Sequence, residues 1–527
     1  MRQFPRCAQI QLLSARTGVT IDSETTESHR AQVIMGTLTA LKDPKKPGPF
    51  DGYAPHPFFC ELLGSGTQPE NSLIRIWQRL QTMDPADLLQ RASDAEHELF
   101  NLGITFTVYS EKDAIDRILP FDVIPRVMTA NEWQKVEAGV VQRVRALNHF
   151  LWDVYHDQRI LKDGTVPAAL VLGNANYRSE MIGVDLPCRT YIHINGTDLV
   201  RDGAGVFHVL EDNGRSPSGV SYVVENRRMM QRAFPDLMQG LRIKPVSDYG
   251  EKLLSKLIEV APAGIANPTV VLLSPGVFNS AYFEHIFLAR EMGVPLVEGR
   301  DLVVENDRLF VRTVAGLRPV HVVYRRINDD FLDPKAFNKT SMLGVAGLMR
   351  AAAKGYVTLA NAVGTGVADD KAVYAYVPQI IRYYLDEEPI LPNVETHICG
   401  EPDGLAYTLA NLENLVVKPV GESGGYGIVV GPKASRAEIA ECRALVEANP
   451  GNFISQPMID LSVCPTLDSA GVVPRHVDFR PYAVTGQDTW VLPGGLTRVA
   501  LKEGSIIVNS SQGGGTKDTW ILEEDQA

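Results

Sequence analysis

The chain has 527 residues and a net charge of −12, so it is too long for one hydrophobic core, and we expect about two to four packed units. Hydrophobic residues make up 45% of the chain and charged residues 22%, which is typical of a globular protein and excludes a disordered or fibrous one. The excess of Asp and Glu argues against a nucleic-acid partner, because binding many phosphates requires a basic surface.

The first segment, residues 1–48, mixes Ser, Thr, Arg and Lys without periodicity, which predicts a flexible leader. It lacks the sustained apolar run of a secretory signal, and no run in the chain approaches the roughly 18–20 apolar residues of a membrane helix. The 6 cysteines are scattered without a CxxC pair, which favours reduced thiols over a zinc site or a disulfide scaffold. We therefore expect a cytoplasmic protein with no membrane partner.

Residues 49–160 predict a helical region. Apolar residues recur at helical spacing from Asn71 to Asn101, and Asp84 with Pro85 has the pattern of a helix cap followed by a first-turn proline. A second long amphipathic pattern runs from Ala130 to Arg159. These helices are expected to be scaffold.

The next segment, residues 161–262, contains a predicted β-hairpin around the turn sequence DGAG at 202–205. Glu211 and Asn213 alternate onto one face of its second strand, and Asp198 on the first strand can reach the same end. Two carboxylates and an amide oxygen are ligands that Mg²⁺ takes. The alternative is a set of solvated acids at a strand end.

Residues 263–360 alternate apolar runs with a helical pattern, which predicts a βαβ unit in a parallel sheet. Ser274, Asn279 and Ser280 follow the first apolar run, at the strand end where open α/β sheets bind ligands, and they are substrate candidates. His285 lies on a largely apolar helix and is interpreted as a core histidine.

Residues 361–527 contain a glycine-rich loop between two apolar runs. Lys418 ends the first run, and the loop residues that could surround phosphate oxygens are Glu422, Ser423, Gly424, Gly425, Tyr426 and Gly427. The lysine precedes the glycines, so this is not a Walker loop. A glycine-rich hairpin turn is the alternative interpretation.

Several basic residues are further candidates for binding substrate or nucleotide. Arg215 can grip an acylphosphate or a substrate carboxylate, and a structural salt bridge is its alternative. Arg325 and Arg326, followed by Asp329 and Asp330, can hold a zwitterionic amino acid or form an ion-pair cluster. The remaining candidates, near a second glycine-rich segment, are Arg498 and Lys517.

The hairpin and the lysine–glycine segment together resemble the ATP-grasp superfamily. That superfamily has a metal-binding aspartate about thirteen residues before a Glu-x-Asn, as Asp198 stands before Glu211-x-Asn213, and a lysine-ended strand leading into a glycine-rich loop. Here the lysine strand follows the Glu-x-Asn, as in eukaryotic glutathione synthetase and glutathionylspermidine synthetase. Residues 50–522 resemble the circularly permuted ATP-grasp type 2 family.

The resemblance implies an α/β (α+β) fold: a circularly permuted ATP-grasp fold with an inserted Rossmann-like parallel βαβ domain and a helical N-terminal region. It implies ATP and Mg²⁺ as cofactors. Lys371 and Lys418 correspond to the nucleotide lysines, Gln456 to the adenine-binding hinge and Arg480 to a phosphate-binding arginine. Asp198, Glu211 and Asn213 correspond to the metal ligands, with Glu422 competing with Asp198 for the third place.

The implied activity is ADP-forming ligation of a carboxylate to an amine through an acylphosphate, on an amino acid, peptide or polyamine. A phosphotransferase using the same site and a nucleotide-binding module without catalysis are the alternatives. The sequence leaves both substrates and the oligomeric state open, because substrate loops vary among proteins of one fold.

Overall fold

The part of the chain that the computed structural model describes comprises residues 48–109, 114–118, 120–421, 427–469, 471–506, 508 and 514–523. For residues 105–109 and 114–118 the description is confined to the backbone. The predicted leader lies outside the described residues except for Gly48. Residues Pro49–Ala527 form one compact unit.

The helices agree with the sequence pattern where it was strong. Asp84 caps the helix that starts at Pro85 by accepting from the Ala86 amide, and Thr129 and Glu132 form a capping box at the start of a 26-residue helix. The α-helices of the described chain are α1 Ile74–Thr82, α2 Pro85–Asn101, α3 Ala130–Tyr155, α4 Arg159–Lys162, α5 Ala168–Leu172, α6 Val220–Ala233, α7 Pro235–Met238, α8 Tyr249–Glu259, α9 Tyr282–Met292, α10 Asp329–Leu332, α11 Leu348–Ala353, α12 Lys371–Ala375, α13 Val377–Leu385, α14 Pro402–Asn411 and α15 Arg436–Ala448.

The strands are short and mostly buried. They are β1 Thr105–Tyr109, β2 Ala114–Ile118, β3 Phe121–Met128, β4 Ile194–Arg201, β5 Phe207–Asn213, β6 Val270–Leu273, β7 Leu296–Val297, β8 Leu302–Glu305, β9 Arg308–Thr313, β10 Gly316–Pro319, β11 Val322–Arg325, β12 Thr358–Ala360, β13 His397–Ile398, β14 Leu415–Pro419, β15 Val429–Val430, β16 Phe453–Pro457, β17 Val463–Asp468, β18 Gly471–Arg480, β19 Tyr482–Thr485, β20 Thr489–Val491, β21 Leu496–Val499 and β22 Gly515–Ile521.

A 9-stranded sheet is the centre of the fold. Its order is β20-β19-β4-β18-β21-β22-β3, with β5 paired to β4 and β17 paired to β18. The hairpin β4–β5 is antiparallel, as predicted, and the C-terminal strands β18 to β22 complete the sheet around it. Strands from both ends of the chain therefore meet beside the hairpin. The N-terminal region, predicted as helical, also contributes β3 at the sheet edge.

The predicted βαβ unit is confirmed. β6, β7, β11 and β12 form a parallel sheet in the order β12-β11-β6-β7, with α9 connecting β6 to β7. β6 is a continuous apolar run that is buried throughout, as expected for a strand covered on both faces. The antiparallel strands β8, β9 and β10 form a separate sheet between β7 and β11 in the chain.

A smaller antiparallel sheet carries the lysine strand. Its order is β13-β16-β14-β15, and β14 and β15 flank the glycine-rich segment. Five residues of that segment, 422–426, lie outside the described chain. Cys399, Leu412, Val417, Cys442 and Val446 form the separate core of this part.

Two layers of apolar side chains enclose the central sheet. Trp133 and Val136 of α3 pack with Leu199 and Phe479 on one face. On the other face, α6 contributes Val223 to a core shared with the parallel sheet. The sheet is thus fixed on both sides, which positions the polar ends of its strands.

The sequence predicts no membrane-spanning helix and reduced cysteines, and both features can be examined in the described residues. No helix there has the length and apolar character needed to cross a membrane. The 5 described cysteines, all unpaired, are Cys60, Cys188, Cys399, Cys442 and Cys464.

Candidate active site

The hairpin β4–β5 presents its polar side chains at one end, as predicted. Asp198 is paired with Glu211, and Asn213 with Gly196. A bulge at Leu210, where two residues of β5 oppose one of β4, changes which side chains share a face. The extra residue reverses the alternation of side chains between the two faces of β5. Glu211 and Asn213 therefore lie on the face opposite to Val209.

Asp212, between these two residues, holds the hairpin against α3. Its Oδ2 accepts from Nη2 of Arg143 at 2.6 Å and its Oδ1 accepts from the Thr197 hydroxyl at 3.2 Å. Both members of the Arg143–Asp212 pair are only 1% exposed. Sequence reasoning did not identify the structural role of Asp212. In the sequence, an acid between two candidate metal ligands cannot be distinguished from a further member of the same acidic cluster.

Asp198 is bound to two arginines. It accepts hydrogen bonds from Arg480, through Nε and Nη2, and from Nη2 of Arg498 at 2.8 Å. Arg498 also donates to Asp478, which lies opposite it in the β18–β21 pairing. Although burial opposes the charged form, the two guanidinium groups lower the pKa of Asp198 to about 2. The carboxylate is therefore ionised at neutral pH.

The nucleotide lysines implied by the resemblance come together at this end of the hairpin. Lys371 Nζ lies 3.8 Å from Glu211 Oε2. Lys418 feels the charges of Glu211, Lys371 and Asp198, so it lies in the same cluster. Its pKa is lowered to about 8, chiefly by burial and further by Lys371, while the two carboxylates oppose the shift.

Gln456 lies beside Lys418. Its Oε1 accepts from Lys418 Nζ at 2.6 Å, and its Nε2 donates to Thr396 Oγ1 at 2.9 Å. The side chain is 2% exposed. These hydrogen bonds join β16 to Lys418 of β14 and to Thr396, the residue before β13. Gln456 thereby fixes the position of the lysine ammonium.

The donor set fits Mg²⁺ through two of its predicted ligands. Glu211 accepts no hydrogen bond among the described residues, and the same is true of Oδ1 of Asn213, whose Nδ2 donates to Gly196 O at 3.2 Å. Mg²⁺ takes one or two carboxylates with waters and substrate phosphates. The oxygens of Asp198 are engaged by arginines, and Glu422 lies outside the described chain, so the identity of a third ligand stays open.

Arg215 is held beside the cluster by Asp369, which precedes the lysine helix α12. Arg215 Nε donates to Asp369 Oδ2 at 2.9 Å, and the Gly214 amide donates to Oδ1 at 2.6 Å. Burial raises the pKa of Asp369 to about 6, and Arg215 opposes that shift. The salt bridge that was the alternative interpretation of Arg215 is therefore present, and the Arg215 side chain is also 35% exposed.

Asn361 joins the parallel sheet to the hairpin. Its Oδ1 accepts from the amides of His193 and Ile194, both at 2.7 Å, and its Nδ2 donates to Gly214 O at 2.7 Å. One side chain therefore fixes the start of β4 and the end of β5. Asn361 and Asp369 were missed by sequence reasoning; the acidic pair immediately before Lys371 was the available signal for Asp369.

Some predicted substrate residues are instead held in the interior. Lys517 is fully buried and donates to Asp122 and two carbonyl oxygens, so its ammonium is not accessible to a substrate or nucleotide. Arg325 is 1% exposed and donates to the carbonyl oxygens of Asn361, Ile327 and Ala362. Protein groups therefore neutralise or hydrogen-bond the positive charges of both Lys517 and Arg325, and neither side chain needs a substrate as its partner.

The other candidates from the parallel sheet are also engaged. Arg326 donates to Ser218 Oγ at 2.6 Å and to Glu284 Oε1 at 2.9 Å. Ser274 is buried, with its Oγ 2.9 Å from His285 Nδ1, which confirms His285 as a core residue. Burial is the main cause that lowers the pKa of His285 to about 2.

The loop candidates divide between described and undescribed residues. Asn279 accepts from the Ala281 amide at 2.9 Å, and within the described chain no hydrogen bond or ion pair joins Asn279 or Ser280 to Lys371 or Lys418. Gly427 has a φ of +70°, and a Cβ there would lie 2.9 Å from Pro419 Cγ, so this position requires glycine. The other loop candidates, outside the described chain, are Glu422, Ser423, Gly424, Gly425 and Tyr426.

The sequence is similar to those of known proteins. The family model of the circularly permuted ATP-grasp type 2 proteins matches residues 125–500. An uncharacterised protein of Synechocystis sp. is 51% identical over 472 residues, covering 89% of this chain and 98% of that protein. A Frankia alni protein named "Putative glutamate--cysteine ligase 2-3" is 39% identical, covering 96% of this chain and 59% of that protein.

Among solved structures, the glutathione synthetase-like effector of Globodera pallida has a TM-score of 0.53 at 11% identity, covering 84% of this chain and 98% of that one. At this identity the likeness shows a shared fold alone.

Proposed function

Because the chain belongs to the circularly permuted ATP-grasp type 2 family, we propose that it is a Mg-ATP-dependent ligase that joins a carboxylate to an amine and releases ADP and phosphate. The observation that carries this proposal is the convergence of Lys371, Lys418 and Glu211 at the end of one hairpin. The name of the Frankia relative points in the same direction. The substrates themselves are not specified by these features.

The two lysines suit the binding of a polyphosphate. Lys371 stands at the first position of α12, where Asp370 caps the helix by accepting from the Ala372 and Val373 amides. Lys418 is held by Gln456, so its ammonium is directed before a ligand arrives. We propose that both lysines neutralise phosphate charge, and that the backbone around Gln456 contacts the adenine. A Mg²⁺ bound at Glu211 and Asn213 would add charge neutralisation on the phosphate oxygens.

The proposed reaction has two steps. A substrate carboxylate oxygen attacks the γ-phosphorus of ATP and ADP leaves; an amine nitrogen then attacks the acyl carbon, phosphate leaves, and the amine loses a proton. Negative charge on the transferred group is stabilised by fixed cations, because positioned charges in a water-poor site cost no reorganisation. Arg480 and Arg215 are the arginines that we assign to this task.

Arg480 and Arg215 are each held by a carboxylate. Asp198 fixes Arg480 and Asp369 fixes Arg215, so each guanidinium has one side directed by the protein. The glycine-rich segment after Lys418 would exclude water from the acylphosphate, which otherwise hydrolyses. The cytoplasmic location expected from the sequence remains part of this proposal.

The test is a screen of amino acids, small peptides and polyamines, singly and in pairs, for ATP-dependent phosphate release, followed by mass spectrometry of the products. We expect little ADP from ATP alone and a large rise with one carboxylate–amine pair, accompanied by an amide. A stable phosphorylated product without an amide would replace the ligase by a phosphotransferase. Failure of Mg-ATP to bind would remove the nucleotide site altogether.

A further inference from the structure

A polar cavity lies beside Arg215. It is lined by Asn176, Arg178, Arg215, Arg325, Asn328, Asp329 and Asp330, and its enclosed part holds about 30 Å³ beneath an open mouth. Its position is at the carboxyl ends of β11 and β12, the edge where open parallel sheets bind ligands. A ligand larger than one or two water molecules therefore occupies the open mouth as well as the enclosed part.

One wall of the cavity is built and rigid. Arg325 is bonded to three backbone carbonyl oxygens and forms an ion pair with Asp329 at 2.7 Å. Asp329 also accepts from the Gly364 amide at 2.9 Å. Both side chains are buried, so this pair supports the cavity and leaves little capacity for a ligand.

The opposite wall carries groups with unused hydrogen-bonding capacity. Within the described chain, Arg215 uses only Nε, leaving both Nη atoms, and Nη1 of Arg178 makes no hydrogen bond. The side-chain amide of Asn176 is also without a partner among these residues. A Cβ at Gly366 would lie 2.7 Å from Cβ of Asn176 and 2.9 Å from Cδ of Arg215, so the glycine allows these side chains to approach.

A carboxylate and a guanidinium meet at the mouth. Asp330 Oδ1 accepts from Arg178 Nη2 at 2.8 Å, and the Asp330 side chain is 60% exposed while that of Arg178 is 16% exposed. The Arg178 guanidinium also lies over the Phe337 ring, 5.6 Å from its centroid, which orients it. The cavity therefore presents positive charge from Arg178 and Arg215 next to an accessible negative charge.

We propose that the open mouth of this cavity binds a free α-amino acid, with its carboxylate between Arg178 and Arg215 and its ammonium at Asp330. Both charges of the ligand are then matched by side chains that already form an ion pair, and the amide of Asn176 supplies a further donor to the carboxylate. The binding of an amino acid here does not depend on the proposed ligase function. Its assignment as one of the two substrates does rest on that function. Arg178 and Asn176 are thereby added to the substrate residues, and Arg325 is a supporting residue.

The experiment is calorimetric titration of the full chain with each standard L-amino acid, with and without a non-hydrolysable Mg-ATP analogue. Any amino acid that binds is compared with its N-acetyl and carboxamide derivatives. We expect at least one to bind, and each blocked derivative to bind about tenfold or more weakly, because either change removes one charged contact.

Asp330→Asn and Arg178→Gln should weaken amino-acid binding about tenfold or more and leave analogue binding unchanged. Glu388→Gln, which alters an exposed acid paired with Arg382, is the matched control and should change neither. The proposal is overturned if no free amino acid binds in either condition, or if both variants bind it as wild type does. Loss of analogue binding with retained amino-acid binding would instead refute the nucleotide site.

Discussion

The ammonium of Lys371 lies 3.8 Å from the carboxylate of Glu211, although the whole parallel sheet intervenes between them in the chain. The Asn361 side chain and the Asp369 carboxylate bring the two segments together by binding the ends of the hairpin. The proposed metal ligand and the proposed nucleotide lysine are thus held at one place by residues that directly follow the parallel sheet.

Glu211→Gln should abolish ATP-dependent turnover, lowering kcat about a hundredfold or more, because Glu211 is the accessible carboxylate proposed to hold Mg²⁺. The fold should survive, since this side chain is 28% exposed and its carboxylate accepts no hydrogen bond within the described part of the chain. Steady-state kinetics and urea denaturation of the same sample check both expectations. Turnover close to that of wild type would remove the metal assignment.

Asp212→Asn is the matched comparison at the next residue. It breaks a buried ion pair with Arg143, and the uncompensated guanidinium should cost about 3–5 kcal/mol of unfolding free energy. Urea denaturation therefore separates the two neighbours: Asp212 stabilises the hairpin, whereas Glu211 serves the reaction. Equal stability losses in both variants would contradict this division.

Asp198→Asn should destabilise the protein more than a surface substitution does. Its carboxylate faces Arg480 and Arg498. Among the described residues, removing the charge breaks the ion pair of Arg480 and leaves Arg498 paired with Asp478, at a cost of about 3–5 kcal/mol. The exposed control Glu388→Gln should cost less than about 1 kcal/mol. Unchanged stability of the Asp198 variant would show that the arginines do not depend on this acid.

The affinity for Mg-ATP should fall as the pH rises above about 8. The pKa of Lys418 is lowered to about 8, so in the free protein the ammonium deprotonates in this range, and a protonated lysine is the form that binds phosphate. The loss should approach about tenfold per pH unit where one proton is required. Lys418→Arg keeps its charge and should flatten the profile, which calorimetry from pH 7 to 9.5 measures; parallel profiles would refute the assignment.

We expect kcat to decline at acid pH because of Asp369. Its pKa is raised to about 6, so below that pH the carboxylate is neutral and no longer holds Arg215 as an ion pair. Asp369→Asn should remove this limb and lower kcat about tenfold at pH 8, with Mg-ATP affinity unchanged. Stopped assays across pH 5–9 on both proteins provide the comparison. An identical acid limb in the variant would assign it to another group.

The local parts of the site could be predicted from the sequence, because they depend on neighbouring residues. The turn at 202–205 and the alternation of Glu211 and Asn213 specify the hairpin, and the apolar run before Lys418 specifies its strand. The buried parallel strand Val270–Leu273 could also be predicted, because its four consecutive apolar residues are followed by Ser274.

The surroundings of other candidates depend on distant partners and could not be predicted from the sequence. Lysine and arginine are mostly exposed, so nothing near Lys517 in the chain indicated that Asp122 would bury it. The same holds for Arg325, whose acceptors are carbonyl oxygens around Asn361. Whether a charge binds substrate or supports the fold is decided by which distant acceptors reach it, and this becomes visible only in three dimensions.

The most direct measurement of the central claim uses a substrate whose carboxylate oxygens are labelled with ¹⁸O. If the carboxylate attacks the γ-phosphorus of ATP, one labelled oxygen leaves with the phosphate when the amine displaces it, and mass spectrometry should find ¹⁸O in inorganic phosphate alongside ADP and the amide. Label in AMP, or unlabelled phosphate released with the amide, would contradict the acylphosphate route and with it the proposed ligase mechanism.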